Sequence, residues 1–116
     1  MQLPVLFSIY MEPVNSTQII KNRNSLSIEV DVYPVLNGRV VFIMHGLSAF
    51  KDQKQLVVAR DTFIKLGYTV VMFDTTNSFG KSEGKYEDAT LTQYYEDLVD
   101  VINWSKTQEW FKKDIS

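Results

Sequence analysis

A serine set between two glycines, Gly80-Lys81-Ser82-Glu83-Gly84, and a histidine-glycine pair, His45-Gly46, are the residues here whose types and spacing could do chemistry. Gly-x-Ser-x-Gly suits a nucleophile when its serine sits on a tight strand-to-helix turn that thrusts Oγ into an oxyanion hole. Gly80-Lys81-Ser82 also suits the end of a phosphate-binding loop, where a helix N-terminus turns its N–H groups toward an anion. Neither context is met. The apolar run ahead of this loop ends at Asp74, well before Gly80, and a polar stretch separates Gly84 from the next helix start at Thr90. The first glycine of a phosphate loop would fall on Thr75, and Glu83-Gly84 stands where the helix would have to open. No histidine follows Ser82 as a base; His45 precedes it. Ser82 therefore reads as part of a flexible glycine loop at the mouth of a site. A Ser82–His45 pair and nucleotide binding through Gly80-Lys81-Ser82 stand as the alternatives.

Cysteine is absent and histidine occurs once, which removes thiolate nucleophiles, disulfides and the usual structural zinc sets. No metal and no cofactor are expected. The imidazole of His45 reads as structural, bonded to nearby backbone and holding its turn. Asp74 reads as a loop organiser that accepts backbone N–H groups. Tyr86, Tyr94, Tyr95, Trp104 and Trp110 could be imagined as a stacking platform, but their spacing with aliphatic residues points to core packing. Glu96, Asp97 and Asp100 read as a solvated helix flank.

The elements that must position these residues follow from apolar periodicity. Arg39 to Met44 is a short apolar run closed by His45-Gly46, the pattern of a strand buried on both faces in a parallel sheet. Before it, Thr17–Lys21 and Ser25–Tyr33 flank the turn residues Asn22-Arg23-Asn24 and predict an antiparallel edge hairpin. In the second of these, Leu26, Ile28, Val30 and Val32 alternate with polar residues, which predicts one buried and one wet face. Asn37-Gly38 predicts the turn into the central strand. After it, Asp52 and Gln55 form a capping-box signal, and Leu56, Ala59, Phe63 and Leu66 recur at helical spacing up to Gly67, a left-handed C′ residue. Tyr68 to Phe73 predicts a second buried strand, so strand, helix and strand make a right-handed parallel βαβ unit. Thr90 with Gln93 opens another helix, whose stripe is Leu91, Tyr94, Tyr95, Leu98, Val101 and Ile102.

A chain of 116 residues, 45% apolar and 22% charged, predicts a single α/β domain over 1–116. A formal net charge of −2 gives no support to nucleic acid or an anionic membrane as partner. Met1 to Met11 is apolar but lacks a basic n-region and is too short to span a bilayer, so the expectation is a soluble, cytoplasmic protein.

In order and in local residues these elements resemble the α/β-hydrolase fold family from about Thr17 to Ile115. The resemblance rests on the edge hairpin, the strand ending in His45-Gly46, the helix, and the strand ending in Asp74. It rests also on a loop like the family's Asp-x-x-Gly-x-Gly-x-Ser-x-Gly, here with Ser78 at a place where glycine is common, and on a helix carrying Tyr95, Asp97, Leu98 and Trp104. The resemblance implies a partial hydrolase sheet in which His45-Gly46 shapes the oxyanion turn and Leu47 gives its backbone N–H to a developing oxyanion. It implies an intact relative that hydrolyses an ester, thioester or amide through an acyl-enzyme. It also implies that the nucleophile elbow, catalytic acid and catalytic histidine lie beyond Ser116, with Asp114-Ile115-Ser116 as the threshold of the nucleophile strand. The expectation is thus an amino-terminal portion, inactive alone, that self-associates or pairs with a carboxyl-terminal half through its unpaired strand edge. A stand-alone, non-catalytic α/β binding module is the alternative.

Overall fold

In the computed structural model, which describes residues 16–35 and 39–111, a four-stranded sheet carries one helix on each face. The strands are β1 (Ser16–Lys21), β2 (Ser27–Tyr33), β3 (Arg39–Met44) and β4 (Tyr68–Phe73), in the order β1-β2-β4-β3. β1 pairs antiparallel with β2, β2 antiparallel with β4, and β4 parallel with β3. Helix α1 (Lys54–Lys65) makes the β3-to-β4 crossover, and helix α2 (Leu91–Ser105) follows β4. This is the edge hairpin, parallel βαβ unit and further helix that the periodicity predicts. The readings placed on Met1–Met11, Asn37-Gly38 and Asp114-Ile115-Ser116 lie outside the described residues.

Strand alternation divides the core in two. Ile20, Ile28, Val30, Val32, Val71 and Phe73 face α2 and pack with Val101, joined by Val40, Phe42, Leu98, Trp104 and Trp110. Tyr33, Val70 and Met72 turn to the other face, against Val41, Ile43 and the α1 residues Leu56, Phe63 and Ile64. β3 lies at the margin, with β4 its strand partner among the described residues, and Val40 to Ile43 stay only half-buried.

Several local expectations are corrected. The polar side of β2 is not wet: Asp31 is buried, because it pairs with the ammonium of Lys51 and accepts the Thr17 hydroxyl. Asp52 does not cap α1; Gln53 holds the N-cap position without a side-chain bond, while Asp52 lies 3.5 Å from Lys51 Nζ. Leu66 is exposed, and Ile64 takes its place in the core. Gly67 ends the helix with φ 91°, as its position requires.

Thr90 caps α2 by accepting the Gln93 N–H at 3.0 Å, but Gln93 does not return the bond. Its amide instead donates to Thr76 and Asp97. The buried stripe of α2 is Tyr94, Asp97, Val101 and Ser105, whereas Leu91 (67%) and Tyr95 (63%) are exposed. Asp97 and Asp100 are therefore not a solvated flank. Asp100 accepts from the Arg23 backbone and guanidinium, pinning the β1–β2 turn to α2. Asp97, 1% exposed, accepts from Asn22 Nδ2, Thr76 N, Thr76 Oγ1 and Gln93 Nε2 at 2.7–2.9 Å.

An alanine at Asp97 would strand those donors in a dry interior, each at about 1–3 kcal/mol. Asp97→Ala should lower stability by roughly 3 kcal/mol, read as a lower urea midpoint with an unchanged slope, and Asp97→Asn should lose less.

Candidate active-site edge

Parallel pairing places Met44 beside Phe73, so the next residues, His45 and Asp74, leave the sheet side by side at its carboxyl edge. That edge is where open α/β sheets gather ligands. His45 is buried, and its Nε2 lies 3.1 Å from the Thr75 backbone nitrogen. A backbone N–H can only donate, so Nε2 accepts and the ring proton resides on Nδ1. Nδ1–H then donates to the carbonyl of Gly46 at 2.8 Å. The Tyr94 ring meets the imidazole in a T-shaped contact, with centroids 5.6 Å apart at 84°.

This bond has a geometric consequence for Leu47. The Gly46 carbonyl and the Leu47 N–H belong to one planar trans peptide and point in opposite directions. By holding the oxygen, His45 turns the Leu47 N–H away from its own ring. None of the hydrogen bonds found among the described residues uses that N–H, and Leu47 is 44% exposed. Ser48 follows in the left-handed region (φ 63°), its hydroxyl bonded to that of Tyr86, which stacks on Phe79 at 4.4 Å.

The loop after β4 folds around Asp74. Its carboxylate accepts the Lys51 N–H at 2.7 Å through Oδ1 and the Lys81 N–H at 2.9 Å through Oδ2. Gly80 lies against this carboxylate so closely that an added Cβ would fall on it. Gly84 adopts φ 112°, and a Cβ there would meet the Asn77 amide. The loop is one residue longer than the pattern, so its first glycine place falls on Asn77 counted from Asp74 and on Ser78 counted back from Ser82. Asn77 has φ 57°, and asparagine tolerates that region. Ser78 instead accepts the Gly80 N–H through Oγ.

Ser82 is brought to β2, not to His45. Its Oγ donates to the Asp74 carbonyl and accepts the Glu29 N–H at 2.8 Å. Gly80-Lys81-Ser82 opens no helix: a short 3₁₀ turn, Tyr86–Asp88, comes first, and α2 begins at Leu91. Among the described residues no group of three or more His, Cys, Asp or Glu could hold a metal ion, and no helix is long and apolar enough to cross a membrane.

Lys51 is the residue that periodicity missed. It is 2% exposed, with Nζ 3.0 Å from both Glu29 Oε2 and Asp31 Oδ2. Burial works to lower its pKa, but the hydrogen bonds it donates to Glu29 and Asp31 and the charges of Asp31 and Asp74 outweigh it, holding the ammonium above the ordinary lysine range. Its stabilising contribution is thus complete at neutral pH and is lost only as pH rises past about 10.4 toward the raised value. The signal that could have exposed it is the Glu29/Asp31 pair. On an inner strand covered by a helix, such carboxylates need a buried cation.

The comparisons with known proteins bear on this edge. The family model for X-Pro dipeptidyl-peptidase (S15 family) matches residues 12–116. The chain belongs to the S15 family. Among solved structures, this S15 chain superposes on Est1E from Butyrivibrio proteoclasticus, a structure with ferulic acid bound, with TM-score 0.74 and 21% identity. It superposes on the Pyrococcus furiosus esterase Pf2001 with TM-score 0.75 and 20% identity, and on the α/β hydrolase GrgF from Penicillium sp. sh18 with 0.73 and 24%. At such identities the likeness is one of fold, and the fold is that of the α/β-hydrolases. The match covers 82–85% of the S15 chain but only 34–39% of those structures, so the chain spans well under half their length. No curated protein sequence matches it.

The bonds to Ser82 fix its rotamer and occupy its proton. A fluorophosphonate probe should leave Ser82 unmodified under conditions that label an active serine hydrolase, as read by peptide mass spectrometry. Ser82→Ala should cost about 1–2 kcal/mol in stability through the stranded Glu29 N–H.

Proposed function

We propose that this chain is the amino-terminal portion of an S15-family serine hydrolase, contributing one half of its oxyanion hole through the Leu47 N–H. The observation that carries this reading is the Gly46–Leu47 peptide. Its oxygen is held by a buried imidazole, and its N–H, at the carboxyl edge of two parallel strands, has no hydrogen-bond partner among the described residues. In acyl transfer a serine Oγ attacks the carbonyl carbon, the C=O π pair moves onto oxygen, and an N–H already aimed at that oxygen stabilises the charge with no reorganisation. The nucleophile, its base and the base's acidic partner belong to residues outside this chain. Alone, the chain is catalytically inactive.

Topology supports the same reading. α1 and α2 cover opposite faces, and the β3-to-β4 step moves toward β2. A right-handed crossover from β4 through α2 must step the other way, which puts the next parallel strand against the outer edge of β3. That strand would start beside Arg39 and end at the carboxyl edge, beside the Leu47 turn. The substrate is an acyl compound with an ester, thioester or amide bond. The family's name points to an amide following X-Pro and the esterase neighbours point to esters, and both pass through the same tetrahedral oxyanion.

Produced as residues 1–116, the protein should not turn over p-nitrophenyl esters. It should self-associate through the outer edge of β3, which no described strand pairs, giving multimers by size exclusion with light scattering. Produced with the downstream residues, it should be monodisperse and hydrolytic. There Leu47→Pro, which deletes the N–H, should lower kcat by about 10²–10³. Turnover by the 116 residues alone would overturn the reading.

A further inference from the structure

We propose that Lys51 is the positioning residue that fixes the far end of the oxyanion turn, clamping it to two strands at once. The proposal rests on the reading of the Leu47 N–H given above. The turn leaves the sheet at His45 and reaches its next buried anchor at Ala49 and Lys51, while Gly46, Leu47, Ser48 and Phe50 between them are exposed. Exposed residues supply little packing to hold a peptide in place, and the tether between them, from the Ser48 hydroxyl to Tyr86, lies at the surface, so the geometry at Leu47 depends chiefly on the two ends. His45 fixes the near end through Thr75 N and the Gly46 carbonyl. Lys51 fixes the far end twice. Its backbone N–H donates to Asp74 Oδ1 at 2.7 Å, beyond the end of β4. Its ammonium lies 3.0 Å from Glu29 and 3.0 Å from Asp31 on β2, with Asp52 at 3.5 Å and Asp74 at 3.9 Å.

Stability alone is a poor reason for this arrangement. Burying an ammonium among carboxylates loses hydration that a well-packed apolar group of similar volume would never need to recover. What the cluster does supply is register. Glu29 and Asp31 project from an inner strand whose backbone is bonded on both sides, so they present fixed acceptors. Asp31 is further held by the Thr17 hydroxyl, and Asp74 by the Lys81 N–H. A four-carbon stem ending on such acceptors permits little sliding of the turn relative to β2 and β4. An oxyanion donor displaced by about 1 Å can cost about a hundredfold in rate.

Lys51→Met alone would leave Glu29, Asp31 and Asp74 facing one another and could unfold the protein. The deciding variant is therefore Lys51→Met with Glu29→Gln and Asp31→Asn, which removes the ammonium's hold on β2 without the repulsion and leaves the backbone bond to Asp74 in place. Two readouts apply in the protein that includes the downstream residues. They are hydrogen–deuterium exchange over residues 46–50, and kcat and KM for p-nitrophenyl acetate. The triple variant should keep a cooperative urea transition, exchange its turn about tenfold faster, and lose about tenfold in kcat with KM within about twofold of wild type. A folded triple variant with wild-type turn exchange and wild-type kcat would overturn the proposal. If it does not fold, Glu29→Gln with Asp31→Asn, which keeps Lys51 and neutralises both of its 3.0 Å partners on β2, carries the test. Turn exchange several-fold faster supports the clamp, and unchanged exchange refutes it. If the wild-type protein hydrolyses no ester, the oxyanion reading fails, and the exchange arm alone decides whether Lys51 holds the turn.

Discussion

A backbone that leaves a sheet must find partners for its N–H groups, and at the carboxyl edge of this sheet two buried carboxylates collect them. Asp74 takes the amides of Lys51 and Lys81, so a single side chain at the end of β4 joins the turn after β3 to the loop after β4. Asp97 takes the Thr76 amide and hydroxyl together with the Asn22 and Gln93 side chains, tying that loop, the β1–β2 turn and α2 into one body. The loops are long and polar, yet their interior polar atoms are satisfied: among the described residues no buried side-chain nitrogen or oxygen lacks a partner. Glycine at position 80 follows from the same constraint, since the carboxylate occupies the space a side chain would need.

How much of this could be read in advance depended on the range of each interaction. The helix stop at Gly67, the Thr90 cap and the parallel βαβ unit are written in neighbouring residues, and the sequence read on its own places them correctly. Asp97 and Asp100 looked like a wet flank because their partners, Asn22 and Arg23, lie 75 and 77 positions away. Helical spacing admits a residue to a buried stripe but does not say whether its carboxylate will find donors there. The Asp52–Gln55 capping signal failed for a related reason. A nearby ammonium competes for the Asp52 carboxylate, and α1 starts later, at Lys54, with an uncapped first turn.

His-Gly was legible as a turn, and the arrangement within it was not. A dipeptide motif cannot say which ring nitrogen carries the proton. Here an obligatory donor from Thr75 decides it, and through it the direction in which the Leu47 amide faces. The Gly80–Gly84 stretch shows the reverse lesson. The letters of a nucleophile motif are all present, but Ser82 spends both its donor and its acceptor capacity stitching the loop to β2. Resemblance in a motif and availability of an atom are separate questions, and hydrogen-bond bookkeeping answers the second.

The half-buried outer margin of β3 also bears on how such a chain is synthesised. Among the described residues β4 is the strand partner of β3, and Val40 to Ile43 stay half-buried even with β1, β2, β4 and both helices in place. On the ribosome, the half-buried row of Val40 to Ile43 is a natural landing place for chaperones that recognise short extended apolar segments.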